Sequence, residues 1–526
     1  MSNAIATPES IAPPPHTSPT PKEGRWEINP IVVKELRQAV RNWTVTTALL
    51  LLLVICFLVT IGALLGESAN TVRSQALGPS VFSALISILM FVSLSFLPIY
   101  TGIRLAWERI PTNTDLLYIT TLTPAKIIRG KMLSGVYLAV LFFSVTMPFM
   151  VFTYLLRGVD LPTIFTLLLF LFLINVAGIQ LAIFFAALPL NRILKLLLAG
   201  LLGMQALLGI AAFGVSMTLG GRSGLRISVV TIEFWIISLT AIAIGLLITG
   251  LAHVCSIACI TPLAANRALP VKICITAVWL LGGLLAGAWT WKESELSYLH
   301  VWVISTLLLL IVTLMASVCS RDQRSLRVRQ AIPANPLRRF LAYLFYNGPD
   351  NGIAWSAAIG LLTLFIGFGA NHLHLLHSSV HSSLNNYDEI LNVCSGMFLY
   401  LLAYALTAVW FQRRFLGNVS TKFASVIFLL MPPLLFLIPT LLFFFVNGLS
   451  WVFMDERQLG SLFNLLVNEV QENHMLEHLL FAGGWLILIL LLNARWLIRQ
   501  IQDFKPYRPE ENEPSRYAGQ PTPKLD

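Results

Sequence analysis

Twelve apolar runs of span length constrain this chain more than anything else in it. A bilayer core ~30 Å thick needs about 20 consecutive apolar residues of helix. Windows of that kind lie at roughly 44–66, 79–103, 132–156, 162–188, 193–219, 229–252, 272–290, 300–319, 353–370, 391–411, 423–447 and 478–498. Only 11% of the 526 residues are charged, where a soluble domain carries about 25%. Lipid is therefore the solvent this composition fits. The expected fold is an all-α, polytopic integral membrane protein with about 12 transmembrane helices. The first window is not expected to be a cleavable signal, because a long polar segment precedes it, it runs too long and no small-residue cleavage site follows.

The loops carry an orientation. With the N-terminus inside, the segments on the inner side hold 29 of the 35 Lys and Arg residues. The outer side keeps Arg73, Arg157, Arg222, Arg226, Lys292 and Arg457, while acidic residues divide 13 to 12. Sorting of positive charge alone is the signature of cytoplasmic loops. Both termini are thus expected in the cytoplasm, and the net charge of +10 reflects that sorting rather than nucleic-acid binding. The six cysteines fall in or beside apolar windows, with no pair in an outer loop to form a disulfide framework.

Ahead of the first span, Asn29 offers a helix-capping oxygen and Pro30 suits the first helical position. Val33, Leu36, Val40 and Trp43 then recur at helical spacing, with Lys34, Arg37 and Arg41 on another face. A basic amphipathic helix of this kind lies in the membrane interface, so residues 29–43 are expected to form an N-terminal interfacial elbow. Asn335-Pro336 followed by Arg338 and Arg339 echoes it, either as a degenerate second unit or as an ordinary helix start. The expected organisation is a disordered tail at 1–25, a membrane region at 26–320 and a basic linker at 321–352. A second membrane region at 353–502 and a disordered tail at 503–526 follow.

The inner segment Arg104–Lys131 is the one suited to mechanical work. Thr112 to Thr114 and Asp115 suit a helix N-terminus, and Leu116, Leu117, Ile119 and Leu122 make a short apolar stripe. Thr123-Pro124 restarts a helix lined by Lys126, Arg129 and Lys131. Exposed Leu and Tyr beside basic residues suit the docking of a soluble partner, or a loop resting on headgroups. No Gly-x-x-x-x-Gly-Lys phosphate loop occurs in the chain, so ATP chemistry would have to come from another polypeptide.

These residues resemble the ABC-2 type transporter permeases over 26 to about 190. The resemblance rests on Asn29-Pro30 with Lys34-Glu35-Leu36-Arg37, then Glu108-Arg109, Asp115-Leu116-Leu117, Leu122-Thr123-Pro124, Gly130-Lys131 and Pro148-Phe149. It implies an elbow helix before the first span and a coupling helix, between spans two and three, that docks on an ABC ATPase. The implied docking residues are Glu108, Arg109, Asp115, Leu116, Leu117, Tyr118 and Lys126, with Asn29, Pro30, Lys34, Glu35, Arg37 and Arg41 in the elbow. It implies no cofactor in this chain, ATP and Mg residing on the ATPase subunit. A second permease chain is a further possible partner, and the location implied is a bacterial inner membrane, with export as the direction. About twelve spans instead of six, and no evident re-entrant segment before the last span, depart from the family pattern.

Other constellations carry less. His374, His377 and His381 would share a helix face in an outer loop and are weak metal candidates, since no Cys, Met or Glu stands with them; no metal is expected. His253 with Cys255 and Cys259 suits packing at a span end. Asn175 and Gln180 are expected to hydrogen-bond a neighbouring helix, with substrate contact as the alternative. Gly283 and Gly287 suit close helix approach, and Trp43, Trp107, Trp289, Trp291, Trp410 and Trp451 an aromatic belt. The span interiors hold essentially no Asp, Glu, Lys or Arg, Glu233 being the nearest exception. That weighs against a proton- or sodium-coupled secondary transporter. No catalytic grouping stands at membrane depth, which weighs against an enzyme. The expected function is therefore a permease subunit powered by a separate ATPase, with a non-transporting membrane scaffold as the alternative.

Overall fold

A computed structural model describes residues 29–69, 77–108, 123–156, 159–188, scattered positions between 195 and 209, 231–262, 265–320, 324–377, 384–416, 422–447, 459–466 and 474–506. Helices α1 (Pro30–Val40), α2 (Trp43–Ala69), α3 (Leu77–Phe91), α4 (Leu97–Glu108), α5 (Pro124–Leu155), α6 (Leu161–Ala187) and α7 (Ile232–Ile260) make the first part. They are followed by α8 (Ala268–Glu293), α9 (Ser297–Val318), α10 (Leu326–Gln330), α11 (Pro336–Phe345), α12 (Pro349–His377), α13 (Leu384–Phe415), α14 (Lys422–Asn447) and α15 (Met475–Gln502). No strand occurs among the described residues. Among the described residues, eleven helical stretches are long and apolar enough to cross a membrane, so the chain is a multi-pass helical membrane protein. The window 193–219 falls largely outside the described residues.

The second predicted span is two helices in line, α3 and α4, joined by a π-helical turn at Val92–Phe96. Pro98 accounts for the break, since its ring excludes the carbonyl four residues back and it has no N–H to give. Exposed leucines such as Leu50, Leu51, Leu284 and Leu491 cover the outer faces of the spans. In water that surface would be untenable, but against acyl chains it costs nothing.

Two buried cores divide the membrane region. One runs from Ala39 to Ile260 and gathers α1–α7, and the other runs from Ile275 to Trp496 and gathers α8, α9 and α11–α15. The boundary expected at 320 thus has no counterpart in the packing, because α8 and α9 bury Ile275, Leu307 and Leu314 against the later helices. A small third cluster of Val328, Ile332, Tyr346 and Phe504 ties α10 and the end of α11 to the segment after α15. The C-terminal tail was expected to begin at 503, yet Phe504 is 3% exposed and packs edge-on to Tyr343 and Tyr346.

The segment 459–466, between α14 and α15, packs into the second core through Leu462 and Leu465. Tyr404 donates to the Gly460 carbonyl at 2.6 Å and accepts from the Leu462 N–H at 3.2 Å. Tyr400 accepts from the Gly460 N–H and meets His478 Nδ1, both at 3.1 Å. Two phenols on one helix therefore satisfy a buried turn, as buried backbone requires. The sequence had offered no sign of this buried turn.

Candidate functional site

Local chemistry builds α1 as its sequence predicts. Asn29 Oδ1 accepts from the Ile31 N–H at 3.1 Å, and Pro30 occupies the first turn. Thr123 Oγ1 likewise accepts from the Lys126 N–H at the start of α5. The two caps are then joined, because Asn29 Nδ2 donates to the Lys126 carbonyl at 2.8 Å. One asparagine fixes the entrance of α1 to the entrance of α5.

The face of α1 turned to the protein is Val32, Glu35 and Ala39, all buried. Val40 and Trp43 point outward, 72% and 77% exposed. Glu35 therefore carries a polar contact between α1 and the spans. Its carboxylate lies 2.8 Å from Lys131 Nζ and 3.3 Å from Arg104 Nε. Lys131 also reaches Glu108 at 2.7 Å, and Lys34 stands 3.7 Å from the same Glu108. Burial works against the charge on Glu35, but Lys131, Arg104 and Lys34 together hold its carboxyl below the ordinary value of 4.5. Arg104 is itself held by Gln38 on α1 and donates to the Tyr100 hydroxyl at 2.9 Å.

This network joins α1 to the last turn of α4 and the start of α5, the two helices that flank residues 109–122. The remaining cavity, lined by Glu35, Tyr100, Arg104, Lys131 and Ser134, is about 10 Å³. That is room for a water molecule at most, far below the ~300 Å³ of a ligand pocket. The arrangement holds helices together and leaves no space for a substrate.

Close approach depends on Gly130. A Cβ there would lie 2.9 Å from Ile31 Cβ and 3.0 Å from Asn29 Nδ2. Gly130→Ala is thus expected to loosen α1 although alanine is the better helix former. Amide exchange across 30–40 should rise about tenfold while the spans stay protected; unchanged exchange would show that Ile31 yields without cost.

Of the residues expected at a docking loop, Glu108 and Lys126 are placed, Glu108 in the ion network and Lys126 exposed at the head of α5. Arg109, Asp115, Leu116, Leu117 and Tyr118 lie outside the described residues. In the expected elbow, Asn29, Pro30, Lys34 and Glu35 take part in the contacts above, and Arg37 and Arg41 are exposed. Lys131, which sequence reasoning set at a window edge, joins both carboxylates.

Three buried charged residues stand at the starts of spanning helices. Lys131 and Lys272 sit inside the helices α5 and α8, 5% and 7% exposed, and Asp350 is buried at the start of α12. All three lie in the first or second turn of their helices and have partners, which is how buried charge is tolerated. Lys272 donates to the carbonyls of Leu344 and Tyr346 at 2.8 and 3.0 Å. Asp350 takes Arg324 Nη2 at 2.8 Å and the Tyr343 hydroxyl at 2.9 Å.

Among the other candidates, Gln180 bonds Ser256 Oγ at 3.2 Å and His253 Nδ1 at 3.1 Å across α6 and α7. Asn175 is fully buried, and neither amide atom finds a partner. Gly283 packs on Trp302, whereas Gly287 meets nothing. Trp43, Trp107 and Trp291 are exposed near helix ends. Helix α12 continues to His377, so His374 and His377 are helical, and His381 lies outside the described residues. No group of three metal-ligating residues forms among the described residues. No disulfide forms among the described residues.

The described fold and this network define a multi-pass helical membrane protein with an amphipathic helix locked to two span ends. Comparison with protein-family models, curated proteins and solved structures gave no match.

Proposed function

We propose that this chain is the membrane-spanning permease subunit of an ABC-2-like transporter, driven by a separately encoded ATPase that docks on residues 109–122. One observation carries the reading: Glu35 and Glu108 bind Lys131 from both sides. A force applied to the segment between α4 and α5 therefore reaches both spans and α1 together. Leu116, Leu117 and Tyr118 supply the apolar contact with the ATPase, and Asp115, Arg109 and Lys126 its charged rim. Helix α1 acts as the interfacial elbow in the cytoplasmic leaflet of a bacterial inner membrane, with export as the direction of transport.

Co-expression of the tagged full chain with the ABC-type ATPases of its own genome tests this. Parent protein should retain one of them, identified by ATP hydrolysis in the purified complex. Leu116→Asp with Leu117→Asp should lower retention about tenfold or more, as loss of a buried apolar anchor does. Glu295→Gln, at the other end of the bundle, should retain it fully. Equal retention by the aspartate variant would refute the docking assignment.

A further inference from the structure

The two Asn-Pro helices are alike in sequence and differ in their surroundings. Around α1 the cations Lys34, Arg104 and Lys131 meet Glu35 and Glu108. Residues 324–348 contain five arginines and no Asp or Glu. Arg324 is committed to Asp350 and lies 5.0 Å over the Phe504 ring. Arg327, Arg329, Arg338 and Arg339 make no ion pair among the described residues. The first three are exposed and Arg339 is half-buried.

Apolar groups stand beside them. Leu326, Leu337, Phe340 and Leu341 are 61%, 71%, 68% and 54% exposed. Helix α11 cannot readily rotate to hide them, because Lys272 holds its C-terminal carbonyls and Tyr343 is tied to Asp350. Asn335 caps its other end, donated to by the Leu337 N–H at 3.1 Å. The small core of Val328, Ile332, Tyr346 and Phe504 fixes α10 in the same cap. Helix α12, a spanning helix, begins at Pro349, so this face lies where a span meets the headgroups.

We propose that the α10–α11 face binds anionic phospholipid headgroups. The four guanidiniums take lipid phosphates, which their planar forks match in two-point geometry. Leu337, Phe340 and Leu341 enter the acyl boundary beneath, as interfacial helices do. A soluble acidic partner would match the charge but leave these apolar side chains, fixed at the bilayer edge, without their solvent. The inference rests on the membrane-spanning fold and holds whether or not an ATPase docks at 109–122.

The test uses the full-length chain in nanodiscs of mixed phosphatidylcholine and phosphatidylglycerol. After gentle extraction, native mass spectrometry reads the ratio of anionic to zwitterionic lipid retained. Parent protein should enrich phosphatidylglycerol, and R327Q/R329Q/R338Q/R339Q should lower that enrichment about tenfold or more. The four-lysine counterpart should keep most of it, and melting in phosphatidylcholine alone should show that both variants fold as the parent does. If the glutamine variant kept the parent's ratio, or the parent showed none, the proposal would be overturned and the arginines left to a soluble acidic partner.

Discussion

Lys131→Met should lower the stability of the protein by about 3–5 kcal/mol, the range found when one partner of a buried ion pair is removed. Both side chains of the Glu35–Lys131 pair are only 6% exposed, so water cannot take the lost cation's place. Arg104 remains 3.3 Å from Glu35, which places the effect nearer the lower bound. The measurement is thermal melting in detergent, where Glu35→Gln combined with Lys131→Met should recover much of the loss. Identical melting of the single variant and the parent would show that the pair holds nothing together. Acid should reproduce part of the effect without mutation. Glu35 titrates below its ordinary 4.5, so its contribution is complete above that pH and is lost as pH falls through the lowered value. The Glu35→Gln variant should lack that component of the acid transition.

Asp350→Ala should produce a loss of the same order by a different route. Asp350 is fully buried, and Arg324 beside it is 5% exposed. Without the carboxylate a guanidinium is stranded in the fold, and Tyr343 loses its acceptor. Burial, and then the Asp350 carboxylate, push the Tyr343 hydroxyl well above its ordinary range, so it stays a donor throughout the neutral range. The readout is hydrogen exchange over 336–346, expected to rise about a hundredfold for ~3 kcal/mol of local destabilisation. Arg324→Ala with Asp350→Ala should restore part of the protection. Parent-like exchange in the single variant would mean that Lys272 alone anchors α11.

What the sequence disclosed is what short-range chemistry decides. Asn29-Pro30 and Thr123-Pro124 start helices where they stand, because a cap and a missing N–H act within one turn. Eleven of the twelve apolar windows correspond to helices, since a run of that length has no other way to satisfy its backbone in lipid. The Glu35–Lys131 pair, 96 positions apart, was not legible, because a hydropathy window ends at a charge and so places Lys131 outside its span. The spacing of Val32, Glu35 and Ala39 on one face could have marked Glu35 as the inward residue. Nothing local marked the burial of 459–466, whose acceptors and donors are phenols on α13. Phe504 was hidden in the same way, as one aromatic in a polar tail.

The π turn at Val92–Phe96 acts on α4 as a frameshift acts on a message. A helix advances about 100° per residue, so one surplus residue in a widened turn rotates everything after it while moving it little along the axis. Arg104 and Glu108 reach α1 in that rotated phase. The azimuth of the ion network is therefore written some ten residues upstream, in a break that leaves its own charges untouched.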